Sequence, residues 1–309
     1  MKVTVVFPGQ GTQYVGMAKN FNGNFFDRAN QAVGFDLKSI MLEGPADTLK
    51  LTENTQPAIV AHSLMLWDKL QGVLSAKGIT VDKVLGHSVG EYAALAAAGA
   101  LSFEDAVRAV HFRGKFMQEA VPAGKGTMYA VLKQEQDTII KACKLASTSD
   151  ESVQPANFNE PSQVVISGDR AACERALKHM EEISGGKVKA IELQVSAPFH
   201  CSLMKPAEEK LENVLRELKF SSPKFSYIAN IDAKEYVAGT EIETVIKNLL
   251  KQVCGSVLWT QSIQTLQDDA VVIECGPGKV LSGLIKKINP NIKVISLDTE
   301  TGFSEVEAL

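Results

Sequence analysis

The sequence Gly86-His87-Ser88-Val89-Gly90 lies between a short apolar run and an alanine-rich stretch. Residues 81–85 are typical of a strand and residues 91–98 of a helix. A G-x-S-x-G pattern in that position predicts a nucleophile elbow, a turn so tight that the residues flanking its centre must be glycine. Such a turn would hold the Ser88 hydroxyl at a helix N-terminus, where the Val89 N–H can stabilise an oxyanion. The alternative is a turn whose serine only caps the helix.

Strands and helices alternate in both terminal parts of the chain. Residues 3–7 and 270–273 are strand-like, and residues 57–70 and 279–287 have helical patterns. This alternation predicts a parallel α/β sheet that is covered by helices on both faces.

The middle of the chain follows a different order of elements. The pattern runs strand, helix, two strands, helix and strand, at residues 127–132, 134–146, 154–159, 163–167, 169–183 and 187–195, with Asp169 as the predicted cap of the second helix. This is the ferredoxin-like order. We therefore predict that residues 124–195 form a small domain inserted into a larger one, which comprises residues 1–123 and 196–309.

Composition excludes several classes of function. The chain has 309 residues, 45% of them hydrophobic, and a formal net charge of -4. Nucleic acid is not an expected partner, because binding to phosphates needs a basic excess. The five cysteines include no C-x-x-C pair, so neither a disulfide framework nor a metal site is predicted. No signal peptide or membrane-spanning run is evident. We expect a cytoplasmic monomer.

Two glycine-rich turns raise the possibility of a nucleotide site. The turn at residues 9–11 lacks the third glycine of G-x-G-x-x-G, since position 14 is Tyr14, and residues 276–279 lack the spacing of a P-loop. No nucleotide cofactor is predicted. The first turn is instead a candidate for a second oxyanion donor, and the other for a strand-to-helix turn.

A serine nucleophile needs an adjacent base, and the chain offers five histidines. His200 is the best candidate of the five, because it follows the point at which the chain returns to the large domain. Arg113 lies in the helical stretch 103–120. It is either a surface arginine with a packed stem or a buried guanidinium that holds a carboxylate.

Motifs along the whole chain resemble those of malonyl-CoA:acyl carrier protein transacylases. In chain order they are Phe7-Pro8-Gly9-Gln10-Gly11-Thr12-Gln13, the elbow with Glu91-Tyr92, Arg113-Gly114, Asn157-Phe158-Asn159, Gln163-Val164-Val165-Ile166-Ser167-Gly168, Phe199-His200 with Leu203-Met204, Asn230-Ile231-Asp232-Ala233 and Glu274-Cys275-Gly276-Pro277-Gly278-Lys279. The resemblance implies an α/β-hydrolase-like large domain with an inserted ferredoxin-like domain.

The resemblance also implies roles for individual residues. Ser88 would be the nucleophile, His200 its base, Arg113 the ligand of the malonyl carboxylate, and Gln10 and Val89 the donors of the oxyanion-hole N–H groups.

Two further roles follow from the resemblance. A backbone carbonyl at Gln252 would orient the histidine, so that no third acidic residue is needed. Phe199 would crowd a methyl branch on the acyl group and favour malonyl over methylmalonyl.

The activity implied is transfer of a malonyl group from malonyl-CoA to the phosphopantetheine thiol of acyl carrier protein, which supplies fatty-acid elongation, without a cofactor. Three alternatives remain open. They are a discrete acyltransferase that loads a polyketide synthase carrier, a serine thioesterase or lipase that uses water, and a carrier-binding module without catalysis.

Overall fold

The structure of the protein is a computed structural model that describes residues 1–21, 23–122 and 124–309. Residue 123, at which we place the first boundary of the large domain, lies outside the described residues. In chain order the elements are β1 (Lys2–Phe7), α1 (Phe25–Val33), α2 (Leu37–Leu42), α3 (Ala46–Lys50), α4 (Thr52–Ala76), β2 (Thr80–Gly86), α5 (Gly90–Ala97), α6 (Phe103–Glu119), β3 (Gly126–Leu132), α7 (Gln136–Ala146), β4 (Val153–Glu160), β5 (Gln163–Asp169), α8 (Arg170–Ser184), β6 (Lys189–Glu192), α9 (Lys205–Glu217), β7 (Ser226–Ile228), β8 (Glu235–Tyr236), α10 (Ile242–Cys254), α11 (Trp259–Gln264), β9 (Val271–Glu274), α12 (Val280–Ile288), β10 (Lys293–Ser296) and α13 (Gly302–Glu307).

The larger sheet has the strand order β10-β9-β1-β2-β7-β8. All neighbouring pairs are parallel except β7 and β8. Successive side chains of β1 point to opposite faces, so Val5 joins one apolar cluster and Val6 another. Because both faces are covered, β1 is apolar almost throughout, as parallel strands generally are. The predicted α/β fold is confirmed.

Helix α4 is longer than the helix predicted at residues 57–70, since it begins one turn before Pro57. A proline inside a helix has no N–H for the carbonyl four residues earlier, here that of Glu53. The ring of His111, on α6, lies with Nδ1 3.0 Å from the Glu53 carbonyl oxygen and donates to it. The vacant acceptor is therefore satisfied from the neighbouring helix, which lets α4 continue through the proline.

The smaller sheet has the order β4-β5-β3-β6, and all of its pairs are antiparallel. This is the strand order of a ferredoxin-like unit, and α7 and α8 pack together beside it. The last strand was predicted at residues 187–195, but only Lys189–Glu192 pair with β3. The Leu193 N–H still donates to the Met128 carbonyl of β3 at 2.9 Å, and Leu193, Gln194 and Val195 line a cavity.

The predicted cap of α8 is partly wrong. Asp169 occupies the N-cap position, but its side chain makes no hydrogen bond to the helix. One carboxylate oxygen accepts instead from the Ser152 N–H at 2.8 Å. The residue therefore ties the start of β4 to the end of β5.

The small sheet is joined to the rest of the molecule along β4. The Phe158 N–H donates to the Val257 carbonyl at 2.9 Å, and the Val257 N–H donates to the Ala156 carbonyl at 2.8 Å. The cleft between the two sheets opens at the carboxyl ends of β1 and β2, where α/β folds place their ligands. In the described part of the chain, no helix is long and apolar enough to cross a membrane.

Candidate active site

Ser88 lies at the turn between β2 and α5 in a left-handed conformation, with φ of 52°. A side chain on Gly86 would collide with the backbone of Gly90, and one on Gly90 with the carbonyl of Phe7 on β1. Both glycines are therefore required by close backbone approach, as the motif predicts. Strained backbone of this kind is typical of functional sites and persists only where the surroundings hold it.

The side chain of Asn230 holds this turn in place. Its Oδ1 accepts from the Ser88 N–H at 2.7 Å, and its Nδ2 donates to the Gly86 carbonyl at 2.6 Å. The residue follows β7, the next strand in the sheet, and is 1% exposed. No pattern in the sequence predicts a role for Asn230. Its place within one of the matching motifs is the only sign that this residue is part of the site.

His200 contacts Ser88 directly. Its Nε2 lies 2.7 Å from the Ser88 Oγ, and its Nδ1 lies 2.8 Å from the backbone carbonyl oxygen of Gln252. A carbonyl can only accept a hydrogen bond, so Nδ1 carries the proton and Nε2 presents a lone pair to the serine hydroxyl. The arrangement positions an imidazole base without a carboxylate partner.

Burial lowers the pKa of His200 to about 3, and repulsion by the Arg113 guanidinium adds to this effect. The imidazole is therefore neutral at physiological pH. Only a neutral imidazole can accept a proton, so the environment keeps His200 in the form that a general base requires.

Arg113 is 1% exposed, which is the buried alternative of the two that the sequence left open. Its Nη1 donates to the Gln56 Oε1 at 2.9 Å, and its Nη2 donates to the Gln252 Oε1 at 2.9 Å and to the Ser88 Oγ at 3.2 Å. Burial lowers the pKa of the Arg113 guanidinium from its ordinary value. The guanidinium remains a cation, because so high a starting pKa leaves it protonated at neutral pH.

A cavity of about 350 Å³ lies over these groups. The predicted site residues on its wall are Gln10, Ser88, Val89, Arg113, Phe199 and His200. Gln252 lies behind the wall, against His200 and Arg113.

Two backbone N–H groups at this cavity have no internal partner. Within the described segments, no hydrogen bond uses the N–H of Gln10 or of Val89. Val89 stands at the N-terminus of α5. Two free donors, one of them at a helix N-terminus, fit the requirements of an oxyanion hole.

Three other histidines, His62, His87 and His179, have different surroundings. His87 donates through Nε2 to the Asn159 Oδ1 at 2.8 Å, and so links the elbow to β4. His62 is buried 3.9 Å from an Asp298 oxygen, and His179 lies on α8 beside Glu182. Among the residues that the structure describes, no three His, Cys, Asp or Glu side chains are grouped to hold a metal ion.

A family model described as "Acyl transferase domain" matches residues 4–290, nearly the whole chain. The chain belongs to the acyl transferase family. This acyl transferase is 41% identical over 314 residues to the malonyl CoA-acyl carrier protein transacylase of Haemophilus influenzae, with 99% of this chain and 98% of the relative covered. The protein of the same name from Bacillus subtilis is 41% identical over 309 residues, with coverage of 97% and 95%.

Solved structures agree with the acyl transferase assignment. The malonyl-CoA:acyl carrier protein transacylase of Xanthomonas oryzae pv. oryzae superposes with a TM-score of 0.90 at 37% identity, covering 99% of this chain and 97% of the other. The malonyl-transacylase solved with a type II PKS acyl-carrier protein gives a TM-score of 0.90 at 37% identity, with coverage of 100% and 99%.

Proposed function

We propose that this acyl transferase moves a malonyl group from malonyl-CoA to the phosphopantetheine thiol of acyl carrier protein, through an ester on Ser88. One observation carries the proposal. A buried guanidinium, that of Arg113, lies 3.2 Å from the nucleophilic oxygen, at the wall of the cavity. A fixed cation beside the nucleophile suits an acyl group that ends in a carboxylate. The names of the relatives support the same substrate.

In the first half-reaction, the His200 Nε2 accepts the proton as the Ser88 Oγ attacks the thioester carbonyl. The carbonyl oxygen becomes an oxyanion that the N–H groups of Gln10 and Val89 stabilise. Collapse of the tetrahedral intermediate breaks the C–S bond, and His200 returns the proton to the CoA thiolate. The malonyl group remains as an ester on Ser88.

The second half-reaction runs the same chemistry with the carrier thiol as nucleophile. His200 removes the thiol proton, the sulfur attacks the ester carbonyl, and the Ser88 oxygen leaves and regains the proton. The Gln252 carbonyl keeps the Nδ1 proton in place in both directions.

Substrate choice is assigned to two residues. Arg113 would pair with the free carboxylate of malonate through two hydrogen bonds. Phe199, which is 7% exposed and lines the cavity, would occupy the space that the methyl branch of methylmalonate needs. Together they favour a short, unbranched diacid.

The carrier protein of a polyketide synthase is the second candidate acceptor. The complex of a type II PKS acyl-carrier protein with its malonyl-transacylase resembles this chain as well as the other solved structures do. Transfer of malonate from Ser88 to a fatty-acid carrier and to a polyketide carrier can be measured side by side. The carrier that is loaded faster is the preferred acceptor.

The reaction is tested by intact mass spectrometry after rapid mixing with malonyl-CoA. We expect one malonyl adduct, absent in Ser88→Ala, present in the control Ser184→Ala on α8, and discharged by carrier protein with phosphopantetheine. Absence of any adduct under rapid quench contradicts the proposal. Discharge by water as fast as by carrier would instead indicate a hydrolase.

The domain division and the cellular location are also part of the proposal. We place the inserted domain at residues 124–195, because the strands of the small sheet lie between Gly126 and Glu192. A side chain on Gly126 would collide with Pro198, in the segment that returns the chain to the large domain. We place the enzyme in the cytoplasm, where all five cysteines would stay reduced, as the structure has them.

A further inference from the structure

Gln252 connects the base, the substrate cation and the elbow. Its backbone carbonyl accepts from the His200 Nδ1, and its side-chain Oε1 accepts from the Arg113 Nη2 at 2.9 Å. Its Nε2 donates to the Ser88 carbonyl at 2.9 Å. The side-chain amide therefore has one correct orientation, with its oxygen toward Arg113 and its nitrogen toward the elbow.

Glu91 contacts the nitrogen end of this amide. The residue is 1% exposed, although an acidic residue in the first turn of a helix is usually at the surface. Its Oε2 accepts from the Gln252 Nε2 at 2.7 Å and from the Asn230 N–H at 3.2 Å. An ionised carboxylate can only accept hydrogen bonds, so it attracts the NH2 end of the amide and repels the oxygen end.

We propose that Glu91 is a positioning residue that fixes the Gln252 side chain with its oxygen toward Arg113, and thereby holds the guanidinium ready for the malonyl carboxylate. The inference rests on the proposed function of Arg113 in malonyl binding. If the amide were rotated by half a turn, its NH2 group would face the Arg113 guanidinium, and two donors cannot bond to each other. Arg113 would then lose one of its anchors.

The charges in this cluster support the same assignment. Burial raises the pKa of Glu91 to about 7. The attraction of the Arg113 guanidinium is among the effects that limit this rise. In the described residues, the hydrogen bonds of the Arg113 side chain go to two amides and one hydroxyl and to no carboxylate. Glu91 thus acts on Arg113 through Gln252, and it leaves the position of a direct carboxylate partner to the substrate.

The test is Glu91→Gln, which keeps the shape of the side chain and can donate as well as accept. Rates of Ser88 acylation by malonyl-CoA and by acetyl-CoA are measured by rapid quench and intact mass at pH 8, where Glu91 is mostly ionised. We expect malonyl loading to fall by about 10-fold or more, the cost of misplacing a charged hydrogen-bond partner. Acetyl loading, which does not use the carboxylate contact, should fall by less than about threefold.

A matched control is Glu274→Gln. Glu274 is also a fully buried carboxylate, but it binds the start of α12. The control should lose stability without any change in the ratio of malonyl to acetyl loading. Glu91→Asp, which retains the charge on a shorter stem, should give a smaller selective loss, and it replaces Glu91→Gln if that variant does not fold.

Three results would overturn the inference. They are unchanged malonyl loading in the Glu91 variants, an equal loss for both acyl groups, and the same change of ratio in Glu274→Gln. Failure of the proposed function is distinguishable from these, because the unsubstituted enzyme would then form no malonyl adduct on Ser88.

Discussion

Ser88, His200 and Arg113 come from separate parts of the chain, and their chemistry depends on the contacts that each makes with the others. Arg113 illustrates this dependence, because the same cation interacts with Ser88, with His200 and with two glutamines. It contacts the Ser88 Oγ, it lowers the pKa of His200, and it is held by two glutamine side chains. The position of Arg113 should therefore affect both the choice of acyl group and the pKa of His200.

The first prediction concerns substrate choice. In Arg113→Ala we expect malonyl loading of Ser88 to fall by about 100-fold, since a buried charge pair with the carboxylate is lost. Acetyl loading should be unchanged or faster, because the variant also removes the repulsion that opposes protonation of His200. Single-turnover loading with the two thioesters measures both rates, and thermal melting checks the fold. Equal losses for the two acyl groups would contradict the assigned role.

The second prediction concerns pH. The imidazole of His200 should remain neutral well below pH 6.5, its ordinary pKa, and Arg113→Ala should raise the pKa because one of the depressing causes is removed. NMR titration of histidine-labelled protein, assigned with His200→Gln, measures this. At pH values between the pKa of His200 in the folded state and its pKa in the unfolded state, the unfolded state binds more protons. This histidine therefore makes the fold less stable as the pH falls from 6.5. Titration near 6.5 in both proteins would contradict the prediction.

Helix α12 shows how one buried carboxylate can determine where an element begins. No side chain at its own N-cap makes a hydrogen bond. Glu274, at the end of β9, accepts instead from the N–H groups of Leu281 and Ser282 at 2.9 Å each. The Ser282 and Ser296 hydroxyls also donate to it. The strand end therefore caps the helix that follows the glycine-rich turn.

Removal of this cap should be costly. We expect Glu274→Ala to lower the free energy of unfolding by about 3 kcal/mol, because two backbone N–H groups lose their acceptor at a largely buried site. Urea denaturation measures the change, and Glu274→Gln, which retains one acceptor oxygen, should cost less. Loading of Ser88 per folded molecule should not change. A decrease in the free energy of unfolding of less than about 0.5 kcal/mol would show that water replaces the carboxylate without cost.

The two sheets of the molecule share the active-site cleft and are held together close to it. The side chain of Gln154, on β4, donates to the backbone carbonyls of His200 at 3.1 Å and of Cys254 at 2.9 Å. His200 is therefore supported by the small sheet as well as by Gln252. The bonds between β4 and Val257 extend the same junction.

From this junction we predict that the two sheets unfold together. Native-state hydrogen exchange should give similar opening free energies for the central amides of β1 and of β5. In Gln154→Ala the amides of β5 should open more easily, because one anchor of the small sheet is removed. Much faster exchange in the small sheet of the unsubstituted protein would show instead that it opens independently.

The sequence by itself determined the α/β alternation and the tight turn at Ser88. Alternation of apolar strands and amphipathic helices is a local pattern, and so is the glycine spacing around Ser88, because close approach within five residues leaves no other choice. For the same reason the ferredoxin-like order of the middle segment was evident. The strand expected at residues 187–195 is too long, because the apolar residues Leu193 and Val195 belong to the cavity wall.

Only the tertiary structure decided the partners of Ser88. Whether Arg113 is buried depends on Gln56 and Gln252, which lie 57 and 139 residues away along the chain. The roles of Asn230 and Glu91 depend in the same way on contacts between strand ends and helix α5. Such hydrogen bonds leave no periodicity in the sequence, because each is formed by single side chains that the fold brings together. Five consecutive residues specify the elbow, whereas the residues around Ser88 come together only when the chain folds.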